Sequence, residues 1–230
     1  YPRGLLIGIA AGIKLTPLVF LLLPLLRRDV RMIATALLTF LGTALLGFAL
    51  TFDNARRFWL EEMFASSNVS FGPKFTGDAS IYAGNQSLRS LLTKTGVEHV
   101  GLVFVVLAAV ALVLAALAMR HAIRQRDLPT AVVVNGVFGL LVSPISWSHH
   151  WVWAIPGLVL LLGAAWAHRD WALLLAATLV SGFFMMGPHW KVPQGKGLEL
   201  TWNLPQNLIG NAYVYFGLGY LLYGAVLWWR

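Results

Sequence analysis

The sequence contains no cysteine and few charged residues, and both absences restrict what the chain can be. Without cysteine, a disulfide-stapled secreted fold and a thiolate metal site are excluded. Charged residues make up 11% of the chain, against about 25% in a typical soluble domain. Apolar residues, at 58%, are too abundant for a disordered chain. This composition indicates a membrane protein.

Acidic residues are especially scarce. There are 9 of them against 17 lysines and arginines, and the formal net charge is +8. In so apolar a chain, this excess predicts loops that bind phospholipid headgroups or an anionic lipid substrate. Nucleic acid is not expected, because no basic stripe is interleaved with aromatic residues on a soluble face. The chain begins at Tyr1 and enters an apolar segment almost at once, so we expect a single transmembrane domain fragment over 1–230, with an N-terminal part missing.

Seven apolar stretches are candidates for membrane segments, since a spanning helix needs about 20 mostly apolar residues. They are Gly4–Leu26, Val30–Phe52, Val97–Met119, Leu128–Val142, Trp151–Ala167, Trp171–Met186 and Asn211–Trp229. An amphipathic soluble helix would show charges every third or fourth residue, and the 102–119 stretch has none. The pattern predicts an all-α polytopic membrane protein. Pro17 also allows a re-entrant hairpin of two half-helices, Leu5–Ile13 and Leu18–Leu26, in place of the first span.

Clusters of arginine predict the orientation of these segments. They follow the first, third and fifth segments, at Arg27, Arg28, Arg31, Arg120, Arg124, Arg126 and Arg169. Strict alternation places them on one side, taken as cytoplasmic, and places loops 53–98, 143–150 and 187–210 on the other. The long loop also carries basic residues, but long loops weigh less in this bias. We therefore expect a multi-pass plasma-membrane protein whose polar chemistry faces the extracytoplasmic side.

One lysine, Lys14, lies inside the first apolar segment. A charged side chain at that depth costs about 3 kcal/mol on insertion scales, so it is expected to face a cavity or a partner. An ammonium on a flexible stem suits the phosphate of a lipid donor. The alternative is a lysine that snorkels to the headgroups or pairs with a carboxylate.

The long outer loop contains a dense set of hydrogen-bonding side chains, Asn85, Gln86, Ser87 and Arg89. They are candidates for binding sugar hydroxyls or a phosphate, and the arginine adds a fixed fork for an oxyanion. The same residues would serve equally well as the N-terminal cap of a short helix, Leu88–Leu92. The pattern alone favours that alternative, because such caps are common.

Two adjacent histidines, His149 and His150, stand among tryptophans in the stretch Ser143–Trp153, which covers the short outer loop and the start of the fifth segment. Imidazoles titrate near neutrality and can donate hydrogen bonds, and the neighbouring Trp147 and Trp151 can stack on a sugar ring. Adjacent residues of a helix point about 100° apart, so at most one histidine is expected to face a given pocket. An interfacial aromatic belt with polar anchors is the alternative.

The surroundings of the histidine pair predict local structure and exclude a metal pair. Pro144 is expected to end the preceding helix, and Ser146 or Ser148 to cap the next one. Adjacent histidines lack the i, i+4 spacing that places two metal ligands on one helical face. No metal and no cofactor are expected, since the Walker, HExxH and dinucleotide-binding motifs are also absent.

Three motifs together, Gly12–Pro17, Asn85–Arg89 and Ser143–Trp153, follow the order and rough spacing of a known family. The chain resembles the C-terminal two thirds of glycosyltransferase family 87, the actinobacterial polyprenyl-phosphate-mannose-dependent α-1,2-mannosyltransferases of phosphatidylinositol mannoside, lipomannan and lipoarabinomannan assembly. The resemblance implies a GT-C-type helical bundle with its active site at the outer leaflet. It also implies inverting transfer of mannose from polyprenyl-phosphate mannose to a mannosylated glycolipid acceptor.

The resemblance further implies roles for individual residues. Lys14 and Arg89 would bind the donor phosphate, and His149 or His150 would approach the sugar or the phosphate. The residues expected to bind substrate are Asn85, Gln86, Ser87, Trp147 and Trp151. The family's catalytic base is a carboxylate in an outer loop that precedes the lysine motif, so we expect it to lie outside this chain.

Two other classes of protein remain as alternatives. Short, broken helices and an intramembrane lysine also suit a lipid or solute transporter or flippase. Transporters often show two related halves, and this sequence shows no internal repeat. A structural membrane subunit is the third possibility, and it would tolerate alanine in all three motifs.

Overall fold

The structure, a computed structural model, describes residues 1–62 and 79–227. All regular elements in these ranges are helices, and the β-type pairing within them is a single antiparallel bridge between Asn85 and Trp147. The all-α architecture predicted from the sequence is confirmed. The chain divides into two compact units, 1–69 and 70–230, which are described separately. The expected end of the last segment at Trp229 lies outside the described residues.

The first unit pairs a broken helix with a long one. Its elements are α1 (Leu5–Ile13), a 3-10 helix (Thr16–Leu21), α2 (Leu22–Leu26), α3 (Val30–Leu50), α4 (Phe52–Arg56) and a π-helical turn (Arg57–Glu62). Gly4, Gly8 and Gly12 form one stripe along α1, and a β-carbon on any of them would collide with an atom of α3. Small residues at this spacing let two helix backbones approach closely, as in membrane helix pairs.

The expected span Gly4–Leu26 is not one continuous helix. Helix α1 ends at Ile13, and Lys14 has an extended backbone with φ −155° and ψ 131°. Pro17 stands in the first turn of the following 3-10 helix, where its missing N–H costs no hydrogen bond. The first half-helix has the bounds given by the re-entrant alternative, whereas the second begins at Thr16 rather than Leu18.

The second unit is a helical bundle with a polar cap, the name used here for segments 79–99, 143–153 and 186–211 at one end of the helices. Its α-helices are α5 (Leu88–Lys94), α6 (Val100–Arg124), α7 (Leu128–Val142), α8 (Ala154–Ala167), α9 (Trp171–Met185), α10 (Leu204–Gly210) and α11 (Ala212–Leu227), and its 3-10 helices are Ser148–Trp153, Pro188–Trp190 and Leu198–Thr201. Helices α6, α7 and α11 pack together, and α8 pairs with α9 beside them. Glycines at the contacts allow this packing, since a β-carbon on Gly136 would meet the Trp153 indole and one on Gly224 would meet Ala118.

Three helices in the described residues are long and apolar enough to cross a membrane: Val30–Leu50, Val100–Arg124 and the continuous stretch Ser148–Ala167. Shorter apolar helices are Thr16–Leu26, Leu128–Val142, Trp171–Met185 and Ala212–Leu227. Large aliphatic side chains are exposed along α3 and α6, which suits contact with lipid rather than water. The chain therefore has the helices of a membrane protein, and seven spans remain a prediction.

The same turn joins three pairs of helices, and its sequence is Arg-Asp. Arg28, Arg126 and Arg169 have left-handed backbones with φ of 55–60°, a conformation that usually falls to glycine after a helix. The aspartate that follows each arginine accepts a hydrogen bond from the N–H three residues on, at 3.0–3.1 Å, and caps the next helix. Each of these turns places arginine at a helix carboxyl end, where a positive charge is favourable.

Candidate functional site

Asn85 organises the polar end of the second unit, and its side chain is completely buried. Its Nδ2 donates to the carbonyl oxygens of Ala79 (3.2 Å) and Pro144 (3.3 Å), and its Oδ1 accepts from the N–H of Ser146 (3.0 Å). The backbone bridge to Trp147 reinforces these bonds. Asn85 thereby fixes the path of the segment that leads into the two histidines.

Gln86 connects the same segment to two others. Its Nε2 donates to the carbonyl oxygens of Ala83 (2.8 Å) and Gly210 (2.7 Å), and its own carbonyl accepts from the Trp151 indole N–H (3.1 Å). The Oε1 atom is buried without a hydrogen-bond partner among the described residues. Gln86 and Trp151 are therefore buried framework residues in this conformation, and neither is presented to solvent.

Ser87 and Arg89 begin helix α5. The Ser87 hydroxyl accepts from the N–H of Ser90 (3.2 Å) and donates to the carbonyl of Pro144 (3.2 Å), so it is the N-cap of this helix. The capping alternative drawn from the sequence is confirmed, and the helix runs two residues further than expected, to Lys94. Arg89 is half-buried on the first turn.

The two histidines lie on a 3-10 turn whose backbone is continuous with α8. His149 is exposed and His150 is half-buried, with their ring centres 4.5 Å apart. The His150 N–H donates to the carbonyl of Trp147 at 2.8 Å. The expected serine cap is wrong: Trp147 occupies the N-cap position of the turn and no side chain caps it, and the hydroxyl of Ser146 donates to the carbonyl of Leu140 (2.6 Å). Pro144 does follow the end of α7 as expected.

A buried lysine, Lys94, was not singled out from the sequence. It is 2% exposed, and its ammonium donates to the carbonyl of Asn85 (2.8 Å) and to Oδ1 of Asn211 (3.2 Å). The Nζ atom also lies 5.5 Å from the centre of the Trp202 ring, a cation–π contact. Burial lowers the pKa of Lys94 to about 7, and the charge of Glu199 partly opposes that shift. Nothing in the sequence distinguished it, because its helix, Leu88–Lys94, also carries Arg89, Ser90 and Thr93.

Glu199 and His189 complete this buried polar cluster. Glu199 is 1% exposed, and its Oε1 accepts from the N–H groups of Ala83 (3.2 Å) and Gly195 (2.9 Å). His189 is equally buried, and neither of its ring nitrogens has a hydrogen-bond partner among the described residues. Burial, followed by the charge of Lys94, lowers the pKa of His189 to about 4, so the imidazole is neutral at pH 7.

An apolar furrow of about 260 Å³ runs between α7, α8, α9 and α11. It extends from Leu173 to Phe184 along α9, about 16 Å at the rise of an α-helix. Trp151 and Tyr215 bound its end nearest the polar cap, and the Tyr215 hydroxyl donates to Oδ1 of Asn207 (3.0 Å). The furrow is therefore apolar along its length and ends at a rim, formed by Trp151 and Tyr215, that carries hydrogen-bonding groups.

Lys14 belongs to the first unit, so it is described apart from the residues above. It is exposed at the carboxyl end of α1, and its N–H donates to the carbonyl of Ala10 (3.0 Å).

Within residues 1–62 and 79–227, no three histidine, aspartate or glutamate side chains are grouped as metal ligands. The structure thus brings together Asn85, Gln86, Ser87, Trp147 and Trp151, with Arg89 and the histidines on adjoining turns.

Comparisons with known proteins place this arrangement in a family context. The family model of glycosyltransferase family 87 matches residues 1–144, which include the lysine motif and the Asn85–Arg89 motif. A polyprenol-phosphate-mannose-dependent alpha-(1-2)-phosphatidylinositol mannoside mannosyltransferase of Mycobacterium tuberculosis is 32% identical over 224 residues, and its counterpart of Mycolicibacterium smegmatis is 34% identical over 233 residues. Each alignment covers 96% of this chain and 50% of the relative. The chain therefore spans about half the length of these relatives.

A third relative, whose name states a related activity, matches a shorter part of this chain. A polyprenol-phosphate-mannose-dependent alpha-(1-2)-phosphatidylinositol pentamannoside mannosyltransferase of Mycobacterium tuberculosis is 35% identical over 174 residues, which is 75% of this chain and 38% of the relative. No solved structure matches the chain. The similarity to known proteins is therefore a similarity of sequence.

Proposed function

Because this chain belongs to glycosyltransferase family 87, as its three motifs indicated, we propose that the whole protein transfers mannose from polyprenyl-phosphate mannose to a glycolipid acceptor of the phosphatidylinositol mannoside type. The observation that carries this proposal is 32–34% identity, over 96% of the chain, to two relatives whose names state this donor and acceptor. The transporter alternative has no support among the relatives described above.

We also propose a GT-C-type bundle in the plasma membrane with its active site on the extracytoplasmic side. In the second unit, segments 79–99, 143–153 and 186–211 meet at one end of the helices, whereas the turns at Arg126 and Arg169 lie at the other end. Cytoplasmic loops carry an excess of arginine and lysine, which favours the cap as the outer side. An outer site would meet a lipid-linked sugar donor, since nucleotide sugars belong to the cytoplasm.

The apolar furrow would hold part of the prenyl chain of the donor. Its walls carry aliphatic and aromatic side chains, and its length of about 16 Å along α9 suits an extended hydrocarbon. The rim formed by Trp151 and Tyr215 would then place the phosphate beside the polar cap. Burial of the prenyl chain would position the sugar before any reaction occurs.

The departing prenyl phosphate needs positive charge and hydrogen-bond donors around it. Arg89 is proposed to supply charge in the second unit, and for Lys14, in the first unit, the role as a donor-phosphate residue is proposed from its position in a family motif alone. An inverting transfer also needs a base on the acceptor hydroxyl. Glu199 is not proposed for that task, because its Oε1 already accepts two backbone N–H groups and the side chain is 1% exposed.

His150 is the histidine proposed to approach the reacting groups. It is half-buried on the turn that Asn85 and Gln86 hold in place, whereas His149 is exposed. An imidazole there can donate a hydrogen bond to the phosphate or to a sugar hydroxyl. Asn85, Gln86 and Ser87 would contribute by fixing this turn rather than by direct contact in the conformation described.

The test is mannosyl transfer by the full-length protein in detergent micelles, with polyprenyl-phosphate mannose and phosphatidylinositol mannoside as substrates. We expect the wild-type protein to form product, and His150→Gln to lower kcat by about 100-fold, since the loss of one positioned donor or proton-transfer group has that magnitude. His168→Gln is the matched control, because His168 is exposed at the opposite end of α8, and it should keep wild-type turnover.

Two outcomes would count against these assignments in different ways. Wild-type protein that binds the donor but forms no mannosylated lipid would contradict the proposed function. Full turnover in both His150→Gln and Lys14→Met, with product still formed, would leave the function standing and remove the proposed site residues.

A further inference from the structure

Three aromatic rings from three separate loops meet on the surface of the polar cap. The Tyr82 ring lies 5.7 Å from the ring of Trp147 and 5.9 Å from that of Trp190, measured between centres. Trp190 is 43% exposed, and the other two are half-buried. We refer to Tyr82, Trp147 and Trp190 as the aromatic platform.

A glycine makes the platform possible. A β-carbon on Gly84 would lie 2.8 Å from the Tyr82 ring and 2.9 Å from the Trp190 ring, closer than carbon atoms pack. Gly84 also accepts, through its carbonyl, the N–H of Ser148 at 2.8 Å. The absent side chain therefore lets two rings converge at the point where the Asn85 loop is joined to the histidine segment.

The platform is coupled to the histidine turn by direct contacts. The carbonyl of Trp147 accepts the N–H of His150 at 2.8 Å, so one residue carries a platform ring and holds the candidate histidine. On the other side, Trp190 packs against the buried imidazole of His189, with ring centres 4.4 Å apart. The rings therefore have fixed positions relative to His150, which scattered tryptophans at a membrane surface would not have.

We propose that the aromatic platform binds a pyranose ring of the glycolipid acceptor, an inference that rests on the proposed function. A protein can bind an uncharged sugar through its hydroxyl groups or through its C–H-rich face. The face of an indole or phenol ring carries negative charge density and attracts such C–H bonds. The hydroxyl that attacks is carried by a sugar of the acceptor, so contacts to that sugar, rather than to its lipid anchor, set its orientation toward the donor.

The experiment compares KM values for the two substrates in the full-length protein. Trp190→Leu should raise the KM for phosphatidylinositol mannoside by about three- to tenfold, with the KM for polyprenyl-phosphate mannose and kcat unchanged within about twofold, because one aromatic contact has that magnitude. Trp190→Phe keeps a ring and should restore most of the acceptor affinity. Gly84→Ala should act in the same direction, because its methyl group separates Tyr82 from Trp190.

Trp166→Leu is the matched control, since Trp166 is 67% exposed and contacts Trp171 at the opposite end of the helices. It should leave both KM values unchanged. The proposal is overturned if Trp190→Leu leaves the acceptor KM unchanged, raises the two KM values equally, or has no larger effect than Trp166→Leu. Each of those results requires that wild-type protein still form mannosylated lipid, so they are distinguishable from failure of the proposed function.

Discussion

Lys94 has the most unusual environment of any single residue in the polar cap. Its ammonium is buried, yet it reaches the carbonyl of Asn85 and the side chain of Asn211, two segments that are distant in sequence. Desolvation disfavours the charged form, and a neutral amine still has two N–H groups for these two acceptors. Both hydrogen bonds therefore survive the loss of the proton.

This environment predicts a pH dependence of stability. Between about pH 7 and 10.5, Lys94 in the folded protein has lost a proton that the unfolded chain still binds. The free energy of unfolding should therefore rise with pH across this window and fall as the pH returns toward 7. Thermal unfolding of the full-length protein in detergent should show Tm increasing by about 3 °C or more because of this group.

A variant distinguishes the contribution of Lys94 to the pH dependence of Tm from the contributions of other titrating groups. Lys94→Met keeps an unbranched side chain one atom shorter and removes the titrating amine, so the rise in Tm between pH 7 and 10 should be smaller than in the wild-type protein. Lys191→Met, at an exposed position of the same cap, should keep the wild-type slope. Identical slopes in all three proteins would show that Lys94 has an ordinary pKa.

Several residues of the polar cap could be recognised from the sequence, but the residues to which they are hydrogen-bonded could not. Asn85, Gln86 and Ser87 were recognised as a dense hydrogen-bonding set, and the capping role of Ser87 followed from its place before an apolar helix. The side chain of Asn85 bonds to a residue about sixty positions away, and that of Gln86 to one more than a hundred positions away. No local pattern contains such partners, so burial of these amides was not predictable.

Among the elements, the helices with strong end signals were the most predictable. Helix α7 has the bounds expected from the sequence, because Asp127 caps its start and Pro144 follows its end. The 3-10 turn Ser148–Trp153 was not predicted, and its Trp151 indole donates to the carbonyl of Gln86, a partner about sixty-five positions away that no local pattern contains. The repeated Arg-Asp dipeptide was available as a turn signal, although only the charge of its arginines had been used.

The apolar furrow gives a prediction at the level of packed helices. Gly219 of α11 lines the furrow, and its β-carbon position is open, so Gly219→Leu fills the furrow without a clash. If the furrow holds the prenyl chain, this variant should raise the KM for polyprenyl-phosphate mannose by about tenfold, as expected for an overfilled apolar site. The acceptor KM and kcat should stay within about twofold of wild type.

The control for this experiment is another helix glycine with open space. Gly182 of α9 has no atom near its β-carbon position and does not line the furrow, so Gly182→Leu should leave both KM values unchanged. A donor KM that is unaffected by Gly219→Leu would exclude the furrow as the prenyl site. It would leave the acceptor platform untouched, because that proposal depends on a different substrate.

For the whole molecule, the distribution of charge and polarity is the central feature. In the second unit, the buried amides, the histidine turn and the aromatic platform all lie at one end of the helices, and the turns at Arg126 and Arg169 lie at the other. Family membership supports the chemistry, while the arrangement supports its placement at one membrane face. The proposed function requires that this face be the outer one.

The most direct test of that requirement is the accessibility of single cysteines in intact cells. The natural chain contains no cysteine, so Glu98→Cys and Lys191→Cys in the cap, and Gln125→Cys and His168→Cys at the opposite end, each introduce one exposed thiol into it. With other cysteines of the full-length protein replaced, a membrane-impermeant maleimide should label the two cap positions in intact cells and the other two only after permeabilisation. Labelling of Gln125→Cys and His168→Cys from outside, or of only one cap position, would contradict the account.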